Sequence, residues 1–357
     1  MNLVKIELEN FRNYLKKEFS FEAQGGLIIG PNGCGKTNLL EAIAYCSIGK
    51  SVRFHRDEEL LHFDKRFFRV QGSFISDQNS ANTVALSYAD QRKLLKISDL
   101  PIRQLSTLFE VIKIIYCAPE DHLLISGSPR FRRQYFDLAI SQLYPPYISV
   151  LRHFLHLVQQ RNAMLKRNYS KEELLSWNSS FADSLSEVWN YRNKYLKQIN
   201  KAFKETFQDV FPVSTSISLA YLPSLKMPLE SSVDDIIKHL AQLEEREKIT
   251  QHSLAGAHLD DYEFKLAGKK MRIYASQGQK RIAVIILKLI QAHLIENVTK
   301  IKPILLFDDI FAELDSFHSL AIRNCINNRY QVFIASPKEE IAQIWQGYPI
   351  LSLTGEE

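Results

Sequence analysis

Cysteine is scarce in this chain of 357 residues: there are four, Cys34, Cys46, Cys117 and Cys325, with no C-x-x-C spacing among them. That excludes a disulfide framework and the common zinc patterns, and it suits a reducing cytoplasm. No uninterrupted apolar run approaches the roughly 18–20 residues of a membrane-spanning helix, so no membrane span or membrane partner is expected. The opening stretch MNLVKIELEN alternates and carries acids, unlike a secretory signal. Repeats and low-complexity linkers are absent. The net charge of +5 is modest; it permits a nucleic-acid partner without requiring one. Glycine is sparse as well, only 13 in all, yet Gly30, Gly33 and Gly35 fall within six residues.

Those glycines belong to GLIIGPNGCGKTNLLEAI, residues 26–43. The pattern G-x-x-x-x-G-K-[ST] is the phosphate-binding loop, in which backbone N–H groups cradle phosphates, Lys36 reaches the β- and γ-phosphates, and the Thr37 hydroxyl takes Mg²⁺. The nucleotide-binding set is therefore Gly30, Pro31, Asn32, Gly33, Cys34, Gly35, Lys36 and Thr37. An apolar strand precedes the loop and a helical pattern follows it, which places an anion at a helix N-terminus. The implied ligand is a nucleoside triphosphate.

A loop of this kind needs a neighbouring strand that ends in carboxylates. ILLFDD, residues 304–309, supplies one. Asp308 is placed to bind the metal, and Asp309 to orient or deprotonate an attacking water, which makes Asp309 and Lys36 the candidate catalytic pair. Ser276, Gly278 and Gln279 in ASQGQKR precede a strongly apolar helix. Ser276 alone reads as a helix cap. With the two motifs above, the stretch resembles the signature of ABC-type ATPases, whose Ser and Gly touch the γ-phosphate held by a second subunit. Asp315 fits either a contact across such a dimer or a cap on the helix after it, and the two roles are compatible.

Both chain ends read as alternating strands and helices, with Val4, Ile6 and Leu8 on one strand face. The middle is helical, with Phe181, Leu185, Val188, Leu196, Ile199, Phe203 and Phe207 at helical spacing. Residues 128–204 hold thirteen Lys and Arg against five Asp and Glu. The expected architecture is an α/β P-loop NTPase of the ABC-ATPase head type, built from residues 1–118 and 252–357. A mainly helical domain, 119–251, is inserted, and no long coiled coil is expected. Arg130, Arg132 and Arg133 are a compact basic cluster near a helix start, where cations oppose the helix dipole. They read either as DNA-phosphate ligands or as a solvated or salt-bridged face. His153 and His156 lie at i, i+3 without further ligands and read as ordinary helix residues.

Taken in order, ENFRNY (9–14), GPNGCGKTNLLEAI (30–43), GKSVR (49–53), PEDHLLISGSPRFRRQYFD (119–137), GAHLDDYEF (256–264), ASQGQKR (275–281) and LLFDDIFAELD (305–315) resemble the RecF family from end to end. The resemblance implies a cytoplasmic, ATP- and Mg²⁺-dependent DNA-binding protein of recombinational repair and replication restart. It implies binding to single-stranded, gapped and linear duplex DNA, an ATP-driven homodimer, weak hydrolysis, support of SOS induction, and RecO and RecR as partners in loading recombinase. It also suggests that Arg12 reaches bound phosphate, as an equivalent arginine does in Rad50-like heads; a solvated Arg in a turn is the other reading. Leu259 stands where the family usually has arginine, and Lys280 where glutamine is usual. The alternatives are an SMC- or Rad50-like head and a transporter ATPase subunit; the basic helical insert with SPRFRR argues against the transporter.

Overall fold

The computed structural model describes residues 1–53, 55–76, 80–210, 216–326 and 328–354; side chains 206–210 and 313, including that of Phe207, lie outside the described set. The chain divides into two compact units, Met1–Asp121 with Ile285–Glu357, and His122–Val284.

The first unit holds two sheets. One is parallel, in the order Ile350–Ser352, Gly25–Ile29, Val332–Ser336, Ile304–Asp308, Ile114–Cys117. Its three middle strands are buried at every position, which is why they read as continuous apolar runs rather than as alternation. The other sheet is antiparallel, with Tyr14–Ser20, Asn2–Phe11, Phe67–Ile75, Ala81–Ala89, Arg92–Ile97 and Leu100–Pro101 in that order. Its first strand departs from the simple alternation. The register shifts between Leu3 and Lys5, so Leu3 rather than Val4 is buried ahead of Ile6 and Leu8. One extra residue at a bulge moves a side chain to the other face.

The helix Lys36–Ile48 packs against strands of both sheets, and Leu39 through Ile48 are all buried. It has no solvent-facing stripe. Its C-terminus closes on Gly49 at φ +68°, the left-handed stop expected of a glycine there.

The second unit combines helices with a three-stranded sheet, Lys269–Lys270, Asp261–Leu266 and Ile217–Leu222. The sequence reading ended the inserted domain at residue 251; the compact unit runs on to Val284, because Asp261–Leu266 pairs with Ile217–Leu222 and Pro129–Leu143 packs on it. The helix Lys171–Val210 has 40 residues, about 60 Å at 1.5 Å per residue. It lies along Tyr147–Leu165, Ile217–Leu222 and Val233–Ala241 of the same unit, and Leu174, Phe181, Leu185, Val188, Trp189, Ile199 and Phe203 are buried there, while Leu175 is half exposed.

One helix tests the expectation that no membrane span is present. The helix Gln277–Thr299 is long and apolar enough to cross a membrane by length and composition, with 61% of its most apolar window buried in the protein. Lys288 and Gln291 break the apolar run that sequence counting looks for, yet both are buried. It reads as a core helix.

Candidate functional site

The phosphate loop leaves the strand Gly25–Ile29 and turns into the helix Lys36–Ile48 through two left-handed residues, Gly33 at φ +87° and Gly35 at φ +104°. A side chain at either would be strained. At Gly35, a Cβ would also fall 2.6 Å from Asn13 and 2.7 Å from the Tyr14 hydroxyl. Gly35 is the N-cap and offers no side-chain acceptor, so the first N–H groups of the helix have no cap from it. Orphan donors at a helix start, with the positive end of the dipole behind them, make an anion site.

Lys36 is 5% exposed, and its Nζ donates to the carbonyls of Gly30 at 2.8 Å and Pro31 at 2.9 Å. An ammonium has three N–H donors, so the ion is fixed across the loop with one left to give. The Thr37 hydroxyl donates to Asp308 Oδ1 at 2.9 Å, and the Tyr116 hydroxyl donates to Asp308 Oδ2 at 2.8 Å. Both oxygens of Asp308 are thereby oriented. Asp309 follows in left-handed backbone at φ +51°, its N–H donating to Ala335 O at 3.1 Å, and its Oδ1 is buried with no hydrogen-bond partner.

Burial raises the pKa of Asp308 against the opposing Tyr116 and Thr37 hydrogen bonds; burial raises that of Asp309 against the charge of Lys36. Between an ordinary carboxylate pKa and these raised values the fold holds more protons than the unfolded chain. Stability therefore falls as pH rises across that window, and the ionised site is costly to the fold.

The donor set fits magnesium. A hydroxyl and a carboxylate are hard oxygen ligands, and no cluster of three or more His, Cys, Asp or Glu side chains occurs among the described residues. Mg²⁺ is commonly held by one or two protein oxygens and completed by phosphates and water, rather than caged by protein.

Several contributors were not visible in the sequence. Tyr14 donates to Gly35 O at 3.1 Å, and Asn13 accepts from Asn38 at 2.7 Å, so the turn after the first strand grips the loop from outside. Tyr116, 192 residues from Asp308, is another. Arg53 is exposed, and its charge acts on both Tyr116 and Asp308.

Arg12 has protein partners. It makes a two-pronged contact to Glu41, Nε to Oε2 at 3.0 Å and Nη2 to Oε1 at 3.2 Å, and donates to Glu59 O at 2.8 Å. Ser276 Oγ accepts from Gln279 N at 3.2 Å while Gln279 Oε1 accepts from Ser276 N at 2.9 Å. This is a reciprocal capping box, exposed, with open space beside Gly278. Asp315 likewise caps the helix Ser316–Ile326, accepting from His318 N at 2.8 Å. Ser336, where transporters keep a switch histidine, accepts from Lys338 N and closes its own turn.

The basic cluster divides. Arg132 forms a fork on Asp261, at 2.6 and 2.8 Å, and also donates to Gly127 O. Its side chain is 5% exposed, so the salt-bridged reading holds for it in this structure. Arg133 is partly buried and donates to Asp260 O at 2.8 Å. Arg130 is the exposed member. In GAHLDD, Asp260 is fully buried, accepting from Trp189, Tyr221 and Ser224, and Leu259 is 43% exposed. That motif ties its unit together internally.

The prediction here is a contrast. Arg132→Glu should destabilise the fold by about 3 kcal/mol, because it leaves Asp261 facing a like charge. Arg130→Glu should change thermal stability by less than about 0.5 kcal/mol, as an ordinary surface site. Equal melting shifts for the two variants would contradict the division.

Comparison with known proteins adds a family model, two relatives and two solved structures. The model of the RecF/RecN/SMC N terminal domain matches residues 2–348. The DNA replication and repair protein RecF of Bacillus cereus (strain G9842) is 30% identical over 345 residues, 94% of this chain and 92% of the relative. That of Oceanobacillus iheyensis is 30% identical over 349 residues, 95% and 94%. Among solved structures, the recombination mediator protein RecF with an ATP analogue, from the RecFOR pathway, is similar at TM-score 0.86 and 27% identity, covering 95% of this chain and 93% of that one. An Smc head bound to the C-winged helix domain of ScpA, at TM-score 0.55 and 18% identity over 99% and 94%, shares the fold.

Proposed function

This chain belongs to the RecF family, within the RecF/RecN/SMC N-terminal domain group, and on that premise we propose that it is an ATP-binding DNA replication and repair protein acting as a nucleotide-gated clamp on DNA. The observation that carries the reading is the chain Thr37–Asp308–Tyr116 beside a phosphate loop whose helix start has no side-chain cap. Relatives named for DNA replication and repair, and a neighbour solved with an ATP analogue, support it.

In this reading the N–H groups of the loop and Lys36 hold the phosphates. Thr37 and Asp308 would hold Mg²⁺, which would supply charge compensation to the bound phosphates. Asp309 orients the attacking water and takes its proton. Transporter ATPases place glutamate at that position; aspartate is one methylene shorter and grips water less closely, so hydrolysis is slow and suits a switch. Ser276, Gly278 and Gln279, with Asp315, meet the nucleotide of a second copy, so that ATP closes a homodimer and hydrolysis reopens it. The protein works in the cytoplasm, on single-stranded, gapped and linear duplex DNA. With RecO and RecR it loads recombinase, and it supports replication restart and SOS induction. Arg130 and the exposed lysines Lys194, Lys197, Lys201 and Lys204 offer phosphate contacts.

Asp309→Asn tests the reading. It should bind ATP and Mg²⁺ with little change while steady-state turnover falls at least about a hundredfold, within the range general-base catalysis supplies. Parental turnover in that variant would assign the water to another group. If neither protein turns ATP over, the chain is a nucleotide-sensing scaffold instead.

A further inference from the structure

We propose that Arg12, Glu41 and Ser51 form a positioning cluster around a buried carboxylate that seats the phosphate loop, and that Arg12 acts through Glu41 rather than by touching phosphate. The proposal rests on the nucleotide-site reading above and assigns that site its internal brace.

Glu41 lies in the helix that follows the loop, one turn beyond Thr37, and its side chain is fully buried. A buried carboxylate must be paired or it neutralises. This one is met from two directions. Arg12 supplies the fork described above, and the Ser51 hydroxyl donates to Oε1 at 2.5 Å. Ser51 Oγ in turn accepts from Arg53 N at 3.1 Å. Two separate segments of chain are therefore fastened to one residue of the phosphate-binding helix.

The Arg12 end sets the outer wall of the site. Arg12 and Asn10 both adopt left-handed backbone, at φ +53° and +51°. Such conformations in non-glycine residues persist only where surroundings over-determine them. Here Arg12 N donates to Leu60 O and His62 N to Asn10 O, both at 2.8 Å, and the guanidinium is tied to Glu41 and Glu59. The turn so held presents the next two residues, Asn13 and Tyr14, to Asn38 and to Gly35 O. The Ser51 end places Arg53, whose charge acts on Asp308. Two prongs on Glu41 and a third bond to a carbonyl use three of the five N–H donors of Arg12 and fix the plane of its guanidinium against the protein.

The two roles for Arg12 separate in a double-mutant cycle. ATP and ADP binding to the whole chain is measured by calorimetry for the parent, Arg12→Gln, Glu41→Gln, the double variant and Ser51→Ala. All are held below their melting transitions, with melting midpoints recorded alongside. A positioning cluster predicts that Glu41→Gln weakens ATP and ADP equally, by about tenfold, the worth of one charged hydrogen bond. Ser51→Ala should weaken both by a smaller, equal factor, and the double variant should bind within about twofold of Arg12→Gln alone, because residues of one network are not additive. A direct phosphate ligand predicts instead that Arg12→Gln penalises ATP more than ADP, and that the full penalty persists in the Glu41→Gln background; that result overturns the proposal. Should Arg12→Gln not fold, Ser51→Ala decides: unchanged affinity for both nucleotides overturns it. A parent that binds neither nucleotide sinks the nucleotide-site reading as well, whereas a parent that binds, with Ser51→Ala and Glu41→Gln unaffected, sinks this proposal alone.

Discussion

Lys36→Ala is expected to lose ATP affinity by at least about a hundredfold, on the scale of a desolvated charge-assisted hydrogen bond to phosphate. The ammonium is 5% exposed and already fixed by the carbonyls of Gly30 and Pro31, so it meets a phosphate without first being ordered. Its loss removes a positive charge from the loop and leaves Asp309 without the cation that opposes its raised pKa. Lys36→Arg should bind ATP better than the alanine variant and hydrolyse it poorly, since a planar guanidinium cannot take the same two carbonyls and a phosphate as a point charge does. Titration calorimetry with ATP and Mg²⁺, on variants shown to be folded, gives the comparison. Parental affinity in folded Lys36→Ala would mean that the loop does not hold phosphate through this residue, and the nucleotide site would have to be sought elsewhere.

The loop and the acidic strand end were legible because their chemistry constrains contiguous residues. Phosphate needs backbone N–H groups, which demands glycine at left-handed positions; a strand buried on both faces demands an apolar run, and metal and water chemistry at its end demands acids. What surrounds them is set by distant segments and leaves no local trace. Tyr116 and Tyr14 are ordinary aromatic residues in the sequence, and only the fold delivers their hydroxyls to Asp308 and Gly35. The basic cluster shows the converse. Three arginines within four residues read equally as phosphate ligands or as a salt-bridged face until Asp261 and the Asp260 carbonyl, more than 120 residues away, engage Arg132 and Arg133. Counting charge along a chain registers cations and cannot register their partners. The helix Gln277–Thr299 was legible as an apolar helix, but not how its polar residues are housed: Lys288 and Gln291 look like interruptions in one dimension, whereas Lys288 is paired with Asp121 and Tyr116 O inside the fold.

Ser276→Arg is the substitution that separates a helix cap from a shared active site. In the structure Ser276 accepts from Gln279 N and its own N–H is taken by Gln279 Oε1, which is a complete capping box and by itself accounts for a serine at this position. If capping is all it does, arginine should cost about 1 kcal/mol of stability, with ATP binding, association and turnover intact below the melting transition. The exposure of Ser276, Gln277, Gly278 and Gln279, and the open space where a Gly278 side chain would go, also suit a surface that receives a second copy. On that reading the arginine keeps two copies from closing on the nucleotide. ATP affinity of the single chain should stay within about threefold of the parent, because a remote surface change is worth less than about 0.5 kcal/mol. The ATP-dependent gain in mass should vanish, and turnover should fall with it. Light scattering with and without ATP, at a temperature where both proteins are folded, gives the mass; a coupled assay on the same samples gives the rate. An ATP-dependent dimer in Ser276→Arg turning over at the parental rate would leave the capping box as the whole role of this serine and refute the shared site.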